Sequence, residues 1–265
     1  MNTNSNTYTV IYTTLVCVLV AAILAFVSQV LKPKQEANEK AETVSQILTA
    51  AQFGSKSEWQ AMGNDAILKF YQENASHAIV INAAGEKVRD LNVGKIEIYS
   101  TSDLKAQNYN VKDGSKLAQA QLPVYIFRNG ITVIPIYGAG LWGPVWGYIA
   151  LNPDLHSIVG AYFDHESETP GLGGKIKDDP SFRAEFEGRI IDFGDEKPLR
   201  IVKGGAPQGK TNAVDAISGA TMTCNGLSAA IINWLKAYRA YLESGCSAAA
   251  ANTCTESACE TATEE

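Results

Sequence analysis

An α+β domain hung from a single transmembrane helix is the architecture this 265-residue chain predicts. Three observations carry it. Residues 10–31 contain no charged side chain and match the roughly 20 apolar residues a helix needs to cross the hydrocarbon core of a bilayer. Two runs rich in β-branched and aromatic residues flank Asn129 and Gly130, the strongest short-range sign of a β-hairpin. Near the end, Leu227, Ala230, Ile231, Trp234, Leu235, Tyr238 and Leu242 fall on one face of a helix, so one apolar stripe must be buried there. A twisted, mainly antiparallel sheet with helices packed against it satisfies the last two observations together.

In chain order, residues 1–9 form a short N-terminal segment and residues 10–31 the transmembrane helix. A cleaved signal peptide does not fit: the apolar run is too long, no basic residue precedes it, and no small-x-small cleavage site comes after it. Val16 before Cys17 also rules out a lipobox cysteine. Residues 32–75 predict a helical stalk and connection, in which Val44, Ile47, Leu48 and Ala51 recur at helical spacing and Pro33 marks the junction with the membrane. Lys32, Lys34 and Lys40 lie just past the span, and on the positive-inside rule alone they would place the large domain in the cytoplasm.

Residues 76–243 make up the folded domain. A strand at 77–82 leads into a turn centred on Gly85, and the alternation of Ile96 and Ile98 predicts another strand. A polar connection, 101–121, precedes the hairpin around Asn129 and Gly130, and strands beginning at Gly147 and Ser157 come after it. A short helix near 181–186, a strand at 199–203 and a helix at 225–242 complete the domain. Residues 244–265 are an acidic, cysteine-containing tail without large apolar side chains, too poor in burial to offset ordering entropy, so disorder is expected.

The formal charge of -6 argues against a nucleic-acid partner, since no basic stripe is present to displace counterions. Five cysteines (Cys17, Cys224, Cys246, Cys254 and Cys259) form no C-x-x-C pair, and the three histidines form no H-x-x-x-H pair, so no metal site is expected. Two phosphate-binding patterns are decoys. Residues 204–211, GGAPQGKT, satisfy the P-loop pattern, but the NAVDAISG after them is a poor helix former where a P-loop requires a helix. Residues 138–143, GAGLWG, satisfy the dinucleotide fingerprint, but Pro144 and Gly147 exclude the helix that would receive a pyrophosphate. A loop between strands is expected there, with Leu141, Trp142 and Trp146 as core anchors or the lining of a flat aromatic ligand.

The stretch from 215 to 227, DAISGATMTCNGL, sets a carboxylate, small residues and two threonines ahead of the amphipathic helix. Gly219 and Ala220 let the backbone approach a phosphate, and the helix N-terminus favours its charge. Ser218, Thr221, Thr223 and Asn225 are equally residue types that cap a helix, so chemistry alone leaves phosphate attachment and simple capping both open.

DxxSGAT resembles the acceptor signature of a flavin transferase, which splits FAD and attaches its FMN half to the last threonine, here Thr221. Asp215, Ser218, Gly219 and Ala220 complete that signature, and Thr223 is a second candidate hydroxyl. Residues 165–173, HESETPGLG, are similar to the H-x-E-T-P-G-L-G segment of the C-subunit family of sodium-translocating NADH:quinone oxidoreductases, with one extra residue between His165 and Glu168. The loop GLWGPVWGYIAL and the N-terminal anchor also look like this family. The resemblance implies that Glu168, Thr169, Gly171, Leu172 and Trp142 line the flavin, and that the FMN-binding domain is extracytoplasmic, on a single-pass protein of the bacterial inner membrane. It implies covalent FMN on a one-electron relay between an iron-sulfur centre and a second flavin in NqrA, NqrB, NqrD, NqrE and NqrF type partners. Such a chain turns over no substrate of its own, sodium pumping belongs to the assembly, and maturation needs an FMN transferase. The G subunit of the Rnf ferredoxin:NAD oxidoreductase shares the threonine motif and is the nearest alternative. A flavin-free membrane-anchored scaffold, in which SGAT only caps a helix, is the alternative from another class.

Overall fold

The computed structural model describes the backbone of residues 6–207 and 209–260. Helix α1, Asn6–Ala50, is a continuous 45-residue helix, and none of its apolar window is covered by the rest of the chain. Pro33 lies inside it without ending it; a proline forfeits one ladder hydrogen bond while its fixed φ still suits a helix. From Ala41 onward the helix enters the domain, where Val44, Ile47 and Leu48 are fully buried. Membrane-type span and stalk are thus one rod whose far end is core. Ser55 and Glu58 form a capping box that starts α2, Lys56–Met62, and α3, Asn64–Asn74, returns against α1.

Strands β1, Ala75–Ile81, and β2, Lys87–Leu91, form a hairpin around the turn expected at Gly85, its second strand lying where none was expected. The strand expected at Ile96 and Ile98 is absent. A single 3-10 turn at Val93–Lys95 is followed by Ile96 in the left-handed region at φ 52°, and Glu97 N–H closes the turn on Asn92 C=O at 2.9 Å. Ile96 anchors that turn in the core, so its alternation with Ile98 reflects a buried loop. The polar connection expected at 101–121 instead contains α4, Thr101–Lys112, opened by a Ser100–Asp103 capping box. Its buried face is Leu104, Asn108 and Val111; the helical spacing is present, but an asparagine occupies the middle position, where it accepts from Trp234 Nε1 at 3.1 Å.

Strands β3, Leu122–Phe127, and β4, Thr132–Ala139, form the hairpin predicted at Asn129 and Gly130, with Gly130 at φ 84°. Strands β5, Pro144–Leu151, and β6, Ile158–His165, extend it, giving one six-stranded, wholly antiparallel sheet in the order β2-β1-β3-β4-β5-β6. Short helices α5, Lys175–Asp178, and α6, Pro180–Ala184, come next. Strand β7, Arg200–Val202, pairs in parallel with β8, Ala213–Asp215, outside the main sheet. The GGAPQGKT segment lies between them in the chain and is followed by β8, not by the helix a P-loop requires.

The last helix, α7, Thr221–Glu260, packs across β4. It starts four residues earlier than expected and is described as far as Glu260; the last five residues of the tail expected to be disordered lie outside the described residues. Its approach to the sheet depends on missing side chains. A Cβ at Gly226 would overlap the carbonyl oxygen of Ala139, and one at Gly138 would reach Cβ of Ala230 at 2.5 Å. The Gly226 obstacle is backbone and cannot rotate away. Gly226→Ala is therefore expected to destabilise the domain by about 1–3 kcal/mol, read as a lowered urea midpoint with an unchanged slope.

Candidate functional site

Three loops converge where β4 turns into β5, where the chain leaves β6, and where α7 begins. Glu168 ties them together. Its side chain is buried; Oε2 accepts from Thr223 Oγ1 at 2.7 Å and Oε1 from the Trp142 N–H at 2.9 Å, with the Leu141 and Gly143 N–H groups also directed at it. Burial is the largest single influence on this carboxyl and opposes ionisation, but these hydrogen bonds together outweigh it and hold the pKa below the ordinary glutamate value. The carboxylate leaves room for no further side chain. A Cβ at Gly140 would overlap Oε1, and one at Gly173 would meet Oε2 and Thr223 Oγ1 at 2.5 Å. The glycines of the false dinucleotide fingerprint thus have a physical use: the 140–143 turn wraps a buried carboxylate.

Around Glu168 lies a recess of about 140 Å³ lined by Leu141, Thr169, Leu172, Gly173 and residues 219–223. Cys224 N–H donates to Ala220 C=O at 2.9 Å, which makes Thr221 the first residue of α7 and leaves the first-turn N–H groups without intrahelical acceptors. Gly219, at φ 81°, turns the chain into the helix in a conformation other residues resist. Leu141, Leu172 and Met222 of the lining are exposed, and Trp142, which is not part of the lining, is exposed by 67% next to Leu141 in the chain. Three large apolar side chains left in water at one opening form a surface that suits a flat apolar ligand or partner.

The two candidate threonines differ sharply. Thr223 is 1% exposed and its hydroxyl is committed to Glu168, whereas Thr221 is half-buried on the wall of the recess. Gly219, Ala220, Glu168, Thr169 and Leu172 line the recess with it. Gly171, at φ 74°, shapes the turn in which Leu172 and Gly174 N–H groups donate to Thr169 C=O. Asp215 and Ser218 do not line it: the Asp215 carboxylate accepts from the Ala206 N–H, and Ser218 is exposed. His165 Nδ1 accepts from the Glu168 N–H at 3.1 Å, so the extra residue in this segment is absorbed in a local turn. Cys224 is buried, which pushes its thiol pKa up and makes it a poor nucleophile. Sequence reasoning missed Met222 and did not assign Gly140, Gly143 or Gly173 to the site; the glycine spacing was the signal available.

Over 228 aligned residues the chain is 30% identical to the C subunit of the Na(+)-translocating NADH-quinone reductase of Vibrio vulnificus (strain YJ016), covering 82% of this chain and 86% of that protein. The chain belongs to this C-subunit family. The corresponding protein of Chlamydia muridarum (strain MoPn / Nigg) is 27% identical across 90% of this chain and 92% of its own length. A crystal structure of the C subunit from Parabacteroides distasonis ATCC 8503 superposes with a TM-score of 0.65 at 31% identity, covering 80% of this chain and 96% of that one. The Shewanella oneidensis NqrC crystal structure superposes with a TM-score of 0.60 at 25% identity, covering 79% and 98%. The family model of the FMN-binding domain matches residues 140–236, from the first glycine of the Glu168 turn well into α7. The mixed α+β fold with its antiparallel sheet is that of the C-subunit structure from Parabacteroides distasonis, and among the described residues one N-terminal helix is long and apolar enough to cross a membrane.

Proposed function

We propose that this chain is the FMN-carrying electron-relay subunit of a Na(+)-translocating NADH:quinone oxidoreductase, anchored by α1 and holding FMN as a phosphoester on Thr221. The observation that carries the attachment is the contrast between the two threonines. Of the two candidate threonines, Thr221 alone offers a reachable hydroxyl at the recess, because the Thr223 hydroxyl is buried against Glu168. The residues present fit the group. Free N–H groups and the dipole of α7 favour the negative charge of a phosphodiester at Thr221. The recess, about 140 Å³, is small against the 300–1,000 Å³ typical of whole-ligand pockets. It therefore suits the phosphate end, and the exposed apolar rim of Leu141, Leu172 and Met222, with Trp142 next to Leu141 in the chain, suits the ring.

FMN, when bound, supplies the electron-carrying chemistry, and the chain's residues position it. Thr221 Oγ1 is the tether, which keeps the carrier on its own protein through repeated cycles. Glu168 fixes the 140–143 turn and the first turn of α7 with respect to each other, so that the Trp142 backbone and Thr221 keep one geometry. An exposed rim favours electron exchange with neighbouring proteins, which in this proposal supply an iron-sulfur centre and a second flavin and belong to the NqrA, NqrB, NqrD, NqrE and NqrF set. The apolar window of α1 spans the inner membrane, with the flavin domain on the extracytoplasmic side, and maturation requires an FMN transferase. Sodium transport is a property of the assembly. Produced together with such a transferase, the chain is expected to give a flavin-fluorescent band on a denaturing gel. A dark band beside a fluorescent positive control would refute covalent attachment.

A further inference from the structure

A second cleft, of about 570 Å³, opens between the end of α1, the start of α2, β6 and the α5–α6 region, and it shares no lining residue with the recess. Lys56, Lys177 and Arg183 line it together with Asp178 and Glu187. Lys177 is neutralised by Asp164 at 2.7 Å. Lys56 and Arg183 are instead gathered on one aromatic ring, that of the fully buried Tyr162. Lys56 Nζ donates to Tyr162 Oη at 3.0 Å, and the Arg183 guanidinium carbon lies 5.1 Å from the ring centroid. The ring attracts each cation, but it also brings two like charges together.

Lys56 has a partial counter-charge in Glu42 at 3.8 Å. Arg183 has no carboxylate within 4.0 Å among the described residues, and its Nη1 is a buried donor without a protein acceptor. A stacked ring does not replace the directional acceptor a guanidinium N–H requires, and buried donors of this kind are rare enough to need an explanation. Arg183 and Lys56 both line the cleft, and an oxyanion there that reached both cations would remove their repulsion through the charge-assisted bonding that arginine forms with phosphate and carboxylate.

We propose that this cleft binds a small soluble molecule through a phosphate or carboxylate group held by Arg183 and Lys56. A lipid headgroup is out of reach: Thr49, on the cleft wall, lies about 27 Å along α1 from Leu31, the end of the apolar run. The cleft's distance from Thr221 in the chain and its separate lining make ligand binding independent of flavin attachment.

The test is thermal unfolding of the detergent-solubilised full chain, with inorganic phosphate, pyrophosphate or citrate compared with sodium chloride at matched ionic strength. At least one oxyanion is expected to raise the midpoint saturably, by about 3 °C near ten times its dissociation constant. Arg183→Met is expected to weaken that oxyanion by about tenfold and Lys56→Gln by a smaller factor, with flavin content unchanged in both. Midpoints that follow ionic strength alone would overturn the proposal. An Arg183→Met protein that responds like the parent would also overturn it. Should Arg183→Met not fold, Arg183→Lys and Lys56→Gln decide: unchanged affinity in both sinks the site, and weakening in both supports it.

Discussion

Replacing Thr221 by alanine is expected to abolish covalent flavin while leaving a folded domain. The hydroxyl sits at the first position of α7 on the wall of a recess and takes part in no core hydrogen bond, so its loss removes the tether and at most one polar contact at a helix start, about 1 kcal/mol. The Thr223 variants should behave in the opposite way. Thr223 is 1% exposed and donates to Glu168 at 2.7 Å, so Thr223→Val leaves one carboxylate oxygen without its donor and should lower stability by about 1–3 kcal/mol while retaining flavin on Thr221. Peptide mass mapping of the two variants separates them: the modified peptide vanishes in Thr221→Ala and persists in Thr223→Val. The reverse pattern would move the tether to the buried hydroxyl and require α7 to open during maturation.

The second large effect concerns Glu168. Glu168→Ala would leave the Trp142, Leu141 and Gly143 N–H groups and the Thr223 hydroxyl without their common acceptor. Leaving a buried neutral donor unsatisfied costs about 1–3 kcal/mol, and several lose their acceptor together, enough to lower a urea midpoint severely. Glu168→Gln keeps one acceptor oxygen and should lose less, because its amide nitrogen faces donors on one side only. The same network predicts a pH dependence. The folded-state pKa is depressed, so the stabilisation is complete above the ordinary glutamate value of 4.5 and is lost as pH falls below it through the folded value. Urea midpoints measured from pH 7 down to pH 3 should therefore fall in that acid range for the parent protein, and Glu168→Gln should show a shallower fall. Identical acid profiles would mean that Glu168 carries no ionised charge in the fold.

Some of this architecture is written in local chemistry and some is not. Asn129 and Gly130 allow only a tight turn, and the apolar stripe of α7 is continuous, so both are legible from the sequence alone. Ile96 and Ile98 mimic a strand because a buried loop can also space its anchors by two. Helix α4 is concealed because Asn108, a polar residue, occupies a core position whose acceptor is satisfied by Trp234, more than a hundred residues away in the chain. At the site, the glycines of 138–143 and the signature threonines are visible as residues, but their roles are tertiary. No local rule says that Gly140 and Gly173 clear space for one carboxylate, or that the same carboxylate draws Thr223 inward and leaves Thr221 at the opening. Asp215 shows the converse limit, since a signature residue close in sequence to Thr221 turns its carboxylate to the Ala206 backbone instead of the recess.

The whole functional account depends on a flavin nucleotide joined covalently to this polypeptide. Intact-mass measurement of the full chain, purified under denaturing conditions from cells that also make the flavin transferase, tests this most directly. The account predicts a single species heavier than the polypeptide by one FMN linked with loss of water; a chain with only the mass of its amino acids would contradict it.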